Sequence, residues 1–270
     1  MLNKTKIAAT LLGLIFLISC SDDNTTSPTT EQNFFPLNLN NYWVYENYKL
    51  DSVGNKILST KAIDSMIIVK QEIEDVLTMK NVTISVAEHY YTDKDSEDQK
   101  LYYSQDALYQ KFDQIPGLGG ELFGIKIKDY IPLDWVLLVD FKNPNWTIIP
   151  QGSVKIPDQT IPSVGKIDLD LNYTLVGAKG GTKQFTISGK QYTANEYKLS
   201  FKLSGNVILK NLFDAKVPIS EITFPTSMYF VDGLGMVYSK TEGVNIEIAG
   251  VANQRVDGNE SILVRYNVVK

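Results

Sequence analysis

The 270-residue chain carries 43% hydrophobic and 21% charged side chains, which leaves little room for extended disorder and supplies apolar volume for a sizeable core. Its formal charge of −5 argues against binding to nucleic acid or anionic lipid by simple electrostatics. With one histidine and one cysteine, neither a Cys-His nucleophilic site nor a His or Cys zinc cage can be assembled.

In chain order, Lys4 and Lys6 precede an uncharged apolar run from Ile7 to Ile18. As a helix that run spans about 18 Å, short of the ~30 Å hydrocarbon core, so it reads as the apolar region of a signal peptide. The run closes on Leu17-Ile18-Ser19-Cys20, which resembles the lipobox of bacterial lipoproteins, a small residue followed by the modified cysteine. The resemblance implies that residues 1–19 are removed, that the Cys20 sulfur takes a diacylglyceryl group, and that its amine becomes the new N-terminus. Each buried methylene contributes roughly 0.8 kcal/mol and a single acyl chain binds only marginally. Two or three chains, palmitate among them, on one cysteine therefore make a stable tether to the membrane.

Ser21-Asp22-Asp23-Asn24 resembles the surface-export signal of Bacteroidota lipoproteins, and no Asp directly follows Cys20, where it commonly retains a lipoprotein in the inner membrane. This implies an outer-membrane lipoprotein exposed on the cell surface, with a periplasm-facing one as the alternative. Residues 20–33 form the lipidated cysteine and a linker. From Ser21 to Asn33 no large apolar residue occurs, so the segment is expected to be a disordered stalk. It would hold the folded part roughly 20 Å from the lipid, or about 43 Å when straight.

Residues 34–270 are expected to form a single β-rich domain, with two smaller β subdomains as the alternative. Val82, Ile84 and Val86 alternate with Thr83, Ser85 and Ala87; Ile167 to Leu175 and Tyr197 to Leu203 alternate likewise, and Ile262, Val264, Tyr266 and Val268 make a last strand. Short polar or glycine-bearing breaks link such runs: Val53-Gly54-Asn55, Asp93 to Lys100, Gly177 to Lys183, Ser188-Gly189-Lys190, Ser204-Gly205-Asn206 and Asp257-Gly258-Asn259. This spacing suits hairpins and leaves no room for crossover helices; Leu118 to Phe123 allows one helical turn at most. The expected class is all-β, a large curved antiparallel sheet closed as a half-barrel, barrel or sandwich. From Ile115 to Pro162 six prolines and two tryptophans interrupt the pattern, and a long proline-rich excursion packed over the sheet is expected there.

Two further stretches resemble a family. Phe34-Phe35-Pro36-Leu37 followed by Asn41-Tyr42-Trp43-Val44-Tyr45-Glu46 is similar to the opening of many uncharacterised secreted lipoproteins, and Tyr229 to Val237, a strand with a Gly-x-Gly bend, resembles their companion motif. The resemblance implies a β-rich envelope domain, akin to curved-sheet lipoprotein folds that shelter apolar ligands, and brings no catalytic residue with it. Where such openings often have glycine before the aromatic strand, this chain has Asn40-Asn41.

Chemistry is mostly excluded. His89 falls beside Tyr90 and Tyr91 and reads as an ordinary histidine more readily than as a general base. Asp93 to Asp98 begins like a calcium loop, but Asp98 stands where glycine is required, and Gly117 to Gly120 lacks the spacing of a nucleotide fingerprint. Carboxylate chemistry, with Asp129, Asp134 and Asp140 near Trp135 and Trp146, leaves a glycoside hydrolase as the least favoured reading. No catalytic residue, metal or cofactor is therefore assigned. The favoured function is a non-catalytic lipoprotein that binds an apolar ligand or an envelope partner; a surface glycan-binding module is the alternative. Trp43, Tyr45, Trp135 and Trp146 are the candidate ligand-binding residues in either case.

Overall fold

Alternating apolar and polar residues give the strands their two faces, and Ile167, Leu169, Leu171 and Leu175 are all fully buried on one of them. A computed structural model describes residues 33–92, 95–104, 106–112, 124–126, 129–131, 134–161, 164–248 and 252–269. The signal peptide, Cys20 and the linker up to residue 32 lie outside the described residues, as do Asp93, the Gly117–Gly120 stretch and the helical turn expected at Leu118 to Phe123. Residues Gln32–Lys270 cluster as one unit.

The strands are β1 (Tyr42–Leu50), β2 (Ala62–Val76), β3 (Met79–Tyr91), β4 (Glu97–Ser104), β5 (Ala107–Lys111), β6 (Trp135–Asp140) and β7 (Asn145–Ile161). They continue with β8 (Gly165–Ile187), β9 (Lys190–Leu209), β10 (Ala215–Val231), β11 (Gly235–Thr241), β12 (Val244–Ile248), β13 (Ala252–Val256) and β14 (Gly258–Asn267). Twelve of them form one sheet in the order β6-β5-β4-β3-β2-β1-β14-β11-β10-β9-β8-β7; β12 and β13 pair separately. Each neighbour in the large sheet is antiparallel, so the chain starts at β1 in the middle, meanders out to β6, crosses to the far edge at β7 and winds back to β14 beside β1. The result is an antiparallel sheet nearly closed as a barrel, in line with the all-β expectation. At the seam β6 and β7 are joined through Phe141–Pro144, and the Trp146 indole N–H donates to the Leu138 carbonyl at 3.2 Å.

The interior is filled from the N-terminal side. Before β1 begins, Phe34, Phe35 and Pro36 are buried against the sheet, and the chain surfaces at Asn38 to Asn40 before Asn41 is buried again. The Phe34 ring stacks on Phe141 at 4.6 Å, and Phe35 stacks on Trp43 at 5.3 Å with its edge toward Phe230 at 6.0 Å. Trp43 is fully buried and donates its indole N–H to the Leu234 carbonyl at 2.6 Å. The two motifs that resemble one family thus meet in space, Phe35 and Trp43 packing against Phe230 and Leu234. Asn41 ties the ends of the chain together: its Nδ2 donates to the Pro36 and Val269 carbonyls at 3.0 Å, and its Oδ1 accepts the Val269 N–H at 2.8 Å. A small amide serves there because it offers donors and an acceptor at once in a site with no access to water.

Three expectations change. Gly177 to Lys183 and Ser204-Gly205-Asn206 are not turns; both lie inside long strands, β8 and β9. The glycines serve close approach instead of reversal: a Cβ on Gly177 would sit 2.0 Å from Trp146 Cε2, and one on Gly205, at φ +146, would sit 2.1 Å from the Asp170 carbonyl oxygen. The proline-rich stretch is less of an excursion than expected, since its second half supplies β6 and β7. Pro150 and Pro157 are accommodated because β7 is an edge strand whose pairing with β8 slips between Ile149 and Gly152 and between Ile156 and Gln159. In β14 a bulge opposite Val44 and Tyr45 shifts the inward position, so that Leu263 is buried in the core in place of Val264.

Gly205→Ala is expected to cost about 2 to 4 kcal/mol in urea denaturation, because both φ and the Asp170 carbonyl oppose a side chain. Gly181→Ala, where the added Cβ meets nothing within 4 Å, should change stability by less than about 0.5 kcal/mol.

Candidate functional site

The β8–β9 hairpin is the longest in the protein and turns on Ser188 and Gly189, whose φ values of 49° and 78° fit the two-residue turn that matches strand twist. Its two arms run past the end of β10, which pairs last with Asn195. At Gly180 and Gly181 the pairing slips between Lys179 and Thr182, and beyond this bulge the hairpin leans across β10 to reach β11 and β14. The Phe185 ring meets Tyr229 at 5.2 Å and Tyr238 at 5.3 Å. Ser188 Oγ donates to the Val264 carbonyl at 3.3 Å, and the Tyr192 and Tyr266 hydroxyls share a 2.6 Å hydrogen bond. β9, β10 and β11 separate β8 from β14 in the ladder, so these contacts come from folding over the sheet face, with Ile187 and Ala194 buried beneath.

A cleft of about 220 Å³ opens at the bend, lined by Phe34, Phe141, Lys179, Gly180, Asn195, Glu196 and Tyr197. Glu196 is its charged centre. One carboxylate oxygen accepts hydrogen bonds from Ser227 Oγ at 3.1 Å and the Tyr229 hydroxyl at 3.0 Å, and the other accepts the Gly181 N–H at 3.3 Å. Lys198 Nζ lies 3.5 Å from that second oxygen. Gly180 makes room for it, since a Cβ there would stand 2.0 Å from the carboxylate. Burial pushes the Glu196 carboxyl up, but hydrogen bonds from Tyr229, Ser227 and Gly181, with Lys198 alongside, outweigh it and hold the group below its ordinary 4.5. It is therefore anionic and fully engaged at neutral pH, suited to positioning neighbours and unsuited to proton transfer. Next to it in β9, burial with Tyr103 and Asp140 nearby pushes the Tyr197 phenol up to about 12.

The tryptophans and the tyrosine singled out in the sequence are core residues. Trp43, Tyr45 and Trp146 belong to the main cluster. The Tyr45 hydroxyl donates to the Met236 carbonyl at 3.0 Å, and burial raises its pKa far above 10.0. Trp135 packs apart from them, with Val76, Ile84 and Val86, and its indole nitrogen is buried without a hydrogen-bond partner among the described residues. None of the four offers a ring face to solvent, so as they stand they form no stacking platform for a sugar. His89 Nε2 pairs with Gln99 Oε1 at 2.9 Å and its ring stacks on Tyr91. Asp129 and Asp134 are exposed, while Asp140 accepts from the Lys142 and Asn143 N–H groups and the Asn143 amide, capping its own turn. Among the described residues no group of three His, Cys, Asp or Glu side chains converges to hold a metal.

Sequence reasoning passed over Lys183, Phe185, Tyr192, Glu196 and Tyr238. Glu196 directly precedes the alternating run that begins at Tyr197, and the glycine pair at 180–181 falls in the stretch expected to be a turn; nothing in one dimension joins Phe185 to β11.

No family model matches the chain, and no curated protein does. Two solved structures do at low likeness. A protein named as a lipoprotein from Parabacteroides distasonis ATCC 8503 is 13% identical, with a TM-score of 0.46 over 87% of this chain and 99% of that one. A protein named as an exported protein with a YmcC-like fold, from Bacteroides fragilis NCTC 9343, is 9% identical, with a TM-score of 0.40 over the same shares. At these values function has to be argued from this chain's own residues.

Because the Glu196 carboxyl has its pKa lowered by folding, its contribution to stability is full above the ordinary 4.5 and is lost as pH falls through the lowered value. Glu196→Gln should cost about 1 to 2 kcal/mol in urea denaturation at neutral pH. The gap to the unsubstituted protein should begin to close once the pH drops below 4.5. A gap that stays constant down to the acid transition would contradict the assignment.

Proposed function

We propose that the protein is a non-catalytic lipoprotein of the bacterial outer membrane, tethered through Cys20 and acting by binding at its outer surface. The observation that carries this reading is the filled interior. A twelve-stranded barrel is wide enough to hold a ligand cavity or a channel. Here Phe34, Phe35, Trp43, Phe141, Tyr197 and Phe230 meet ring against ring, at centroid separations from 4.6 to 6.0 Å, where such a ligand would lie. Rings so packed leave no room among them for an acyl chain. Of the two earlier candidates, an apolar ligand and an envelope partner, the packing favours the partner.

The absence of catalysis is supported by what the titratable groups already do. Glu196 and Asp140 are committed to structural hydrogen bonds, and the histidine is paired with an amide. The Leu17-Ile18-Ser19-Cys20 tetrapeptide supports the lipid anchor, and Ser21-Asp22-Asp23-Asn24 supports surface display.

In cells fed labelled palmitate the protein should take up label, and Cys20→Ala should abolish uptake and release the chain from the membrane fraction. A labelled Cys20→Ala variant would refute the anchor. Organic extracts of the folded Cys20→Ala protein should contain no stoichiometric lipid by mass spectrometry; one bound apolar molecule per chain would refute the filled interior.

A further inference from the structure

Beyond the bulge, Phe185, Tyr229 and Tyr238 form three sides of a cage. The ring centroids lie 5.2 Å apart for Phe185 and Tyr229, 5.3 Å for Phe185 and Tyr238, and 5.5 Å for the two tyrosines. Lys183, exposed on the strand two residues before Phe185, folds back so that its ammonium stands over all three rings. Its Nζ is 5.2 Å from the Tyr238 centroid, 5.3 Å from Phe185 and 5.8 Å from Tyr229. Each distance is inside the range of roughly 6 Å at which the negative face of a ring attracts a cation.

Two buried or half-buried carboxylates reinforce the cage from behind. The Tyr229 hydroxyl donates to Glu196 at 3.0 Å, and Glu260, ion-paired with Lys56 at 2.8 Å, lies beside the Tyr238 phenol, so each phenol stands next to a carboxylate. Burial and these carboxylates raise both phenol pKa values, keeping the rings neutral donors at physiological pH.

We propose that this cage is a binding site for a trimethylammonium group, with Lys183 as the internal occupant that a ligand displaces. The cage presents ring faces to the cation and, among the described residues, no carboxylate paired with it, for Glu196 is engaged by the Tyr229 hydroxyl and Glu260 by Lys56. A primary ammonium seated there leaves N–H groups to be satisfied by water on the open side. A fully alkylated ammonium has none to satisfy, and the rings suit it better. Lys183 reaches the cage on a flexible, exposed stem and is held by ring faces, with no ion pair to it among the described residues, so it can swing out to water. The proposal deepens the surface-binding reading, on which it rests.

The test uses the folded mature domain, with tetramethylammonium as the probe and isothermal titration as the measurement. Lys183→Ala should bind tetramethylammonium at least about tenfold more tightly than the unsubstituted protein, since the competing cation is gone. In that background Tyr238→Leu or Phe185→Leu should remove the gain, near-ultraviolet circular dichroism confirming the fold, and neutral 3,3-dimethyl-1-butanol should fail to compete. No gain in Lys183→Ala, survival of the gain in both ring variants, or equal competition by the neutral alcohol would overturn the site. Phosphatidylcholine vesicles set against phosphatidylglycerol vesicles then separate sources: choline-dependent capture puts the group on a lipid, and its absence with tetramethylammonium bound puts it on a soluble molecule. A cage that fails in this way leaves the lipid-free organic extract unchanged, so the two readings fail separately.

Discussion

The contact on which the rest of this protein depends is the stack of Phe35 on Trp43, pinned by the indole N–H of Trp43 to the Leu234 carbonyl. Twelve strands curled into a barrel enclose more space than inward-pointing aliphatic side chains can fill. The chain solves this with its own leading segment. Residues 33–41 enter before β1, and their rings join Phe141, Tyr197 and Phe230 in one aromatic core. Each such ring buries on the order of 150 to 250 Å², and edge-to-face pairs add further attraction. The segment is tied to the first half of the meander, accepting the Ser85 hydroxyl on β3 at Leu37 and donating from the Phe34 N–H to the Tyr103 hydroxyl on β4. It reaches the β10–β11 turn as well, where Gly233 N–H donates to the Asn33 carbonyl.

That plug also explains why an incompletely hydrogen-bonded seam is tolerated. β6 and β7 are the two edges of the large sheet, and an exposed edge invites pairing with another chain. Here β6 is short, β7 carries Pro150 and Pro157, and Trp146 bridges the two through its indole nitrogen. The barrel is held shut at the seam by packing of Phe34, Phe141 and Trp146 more than by backbone pairing. On the other side of the sheet the charged chain Lys70, Glu72, Lys100, Glu74 and Lys111 links β2, β4 and β5 across their exposed face. In such solvated surroundings its contribution is modest.

Alternation made β8 and β9 legible because a half-buried strand must repeat every two residues, and Leu169, Leu171, Leu199 and Phe201 all point inward as that rule requires. Glycine was not legible in the same way. Its lack of a side chain serves a turn and a close approach equally well, and which one applies at Gly177 depends on Trp146, some thirty residues away in sequence, and at Gly180 on Glu196. Aromatic residues hid their roles for a related reason: a ring suits a strand on either face, so nothing local distinguishes Trp43 in the core from Tyr238 on the outside. The cage of Phe185, Tyr229 and Tyr238 draws on three strands: Tyr229 and Tyr238 are cross-strand partners in β10 and β11, and the lean of the β8–β9 hairpin brings Phe185 to them.

The proposed recognition thus lies at the surface and not among the packed rings: the bend at Gly180 opens the Glu196 cleft down to the edges of Phe34, Phe141 and Tyr197, and carries Phe185 to the cage. An interior closed by the protein's own rings, the central claim, is read most directly by tryptophan fluorescence, since all three tryptophans are buried. Emission should be shifted to the blue, and acrylamide should quench it weakly, with a linear and shallow dependence on concentration. Emission typical of solvent-exposed indole, quenched as efficiently as the free amino acid, would contradict a filled core.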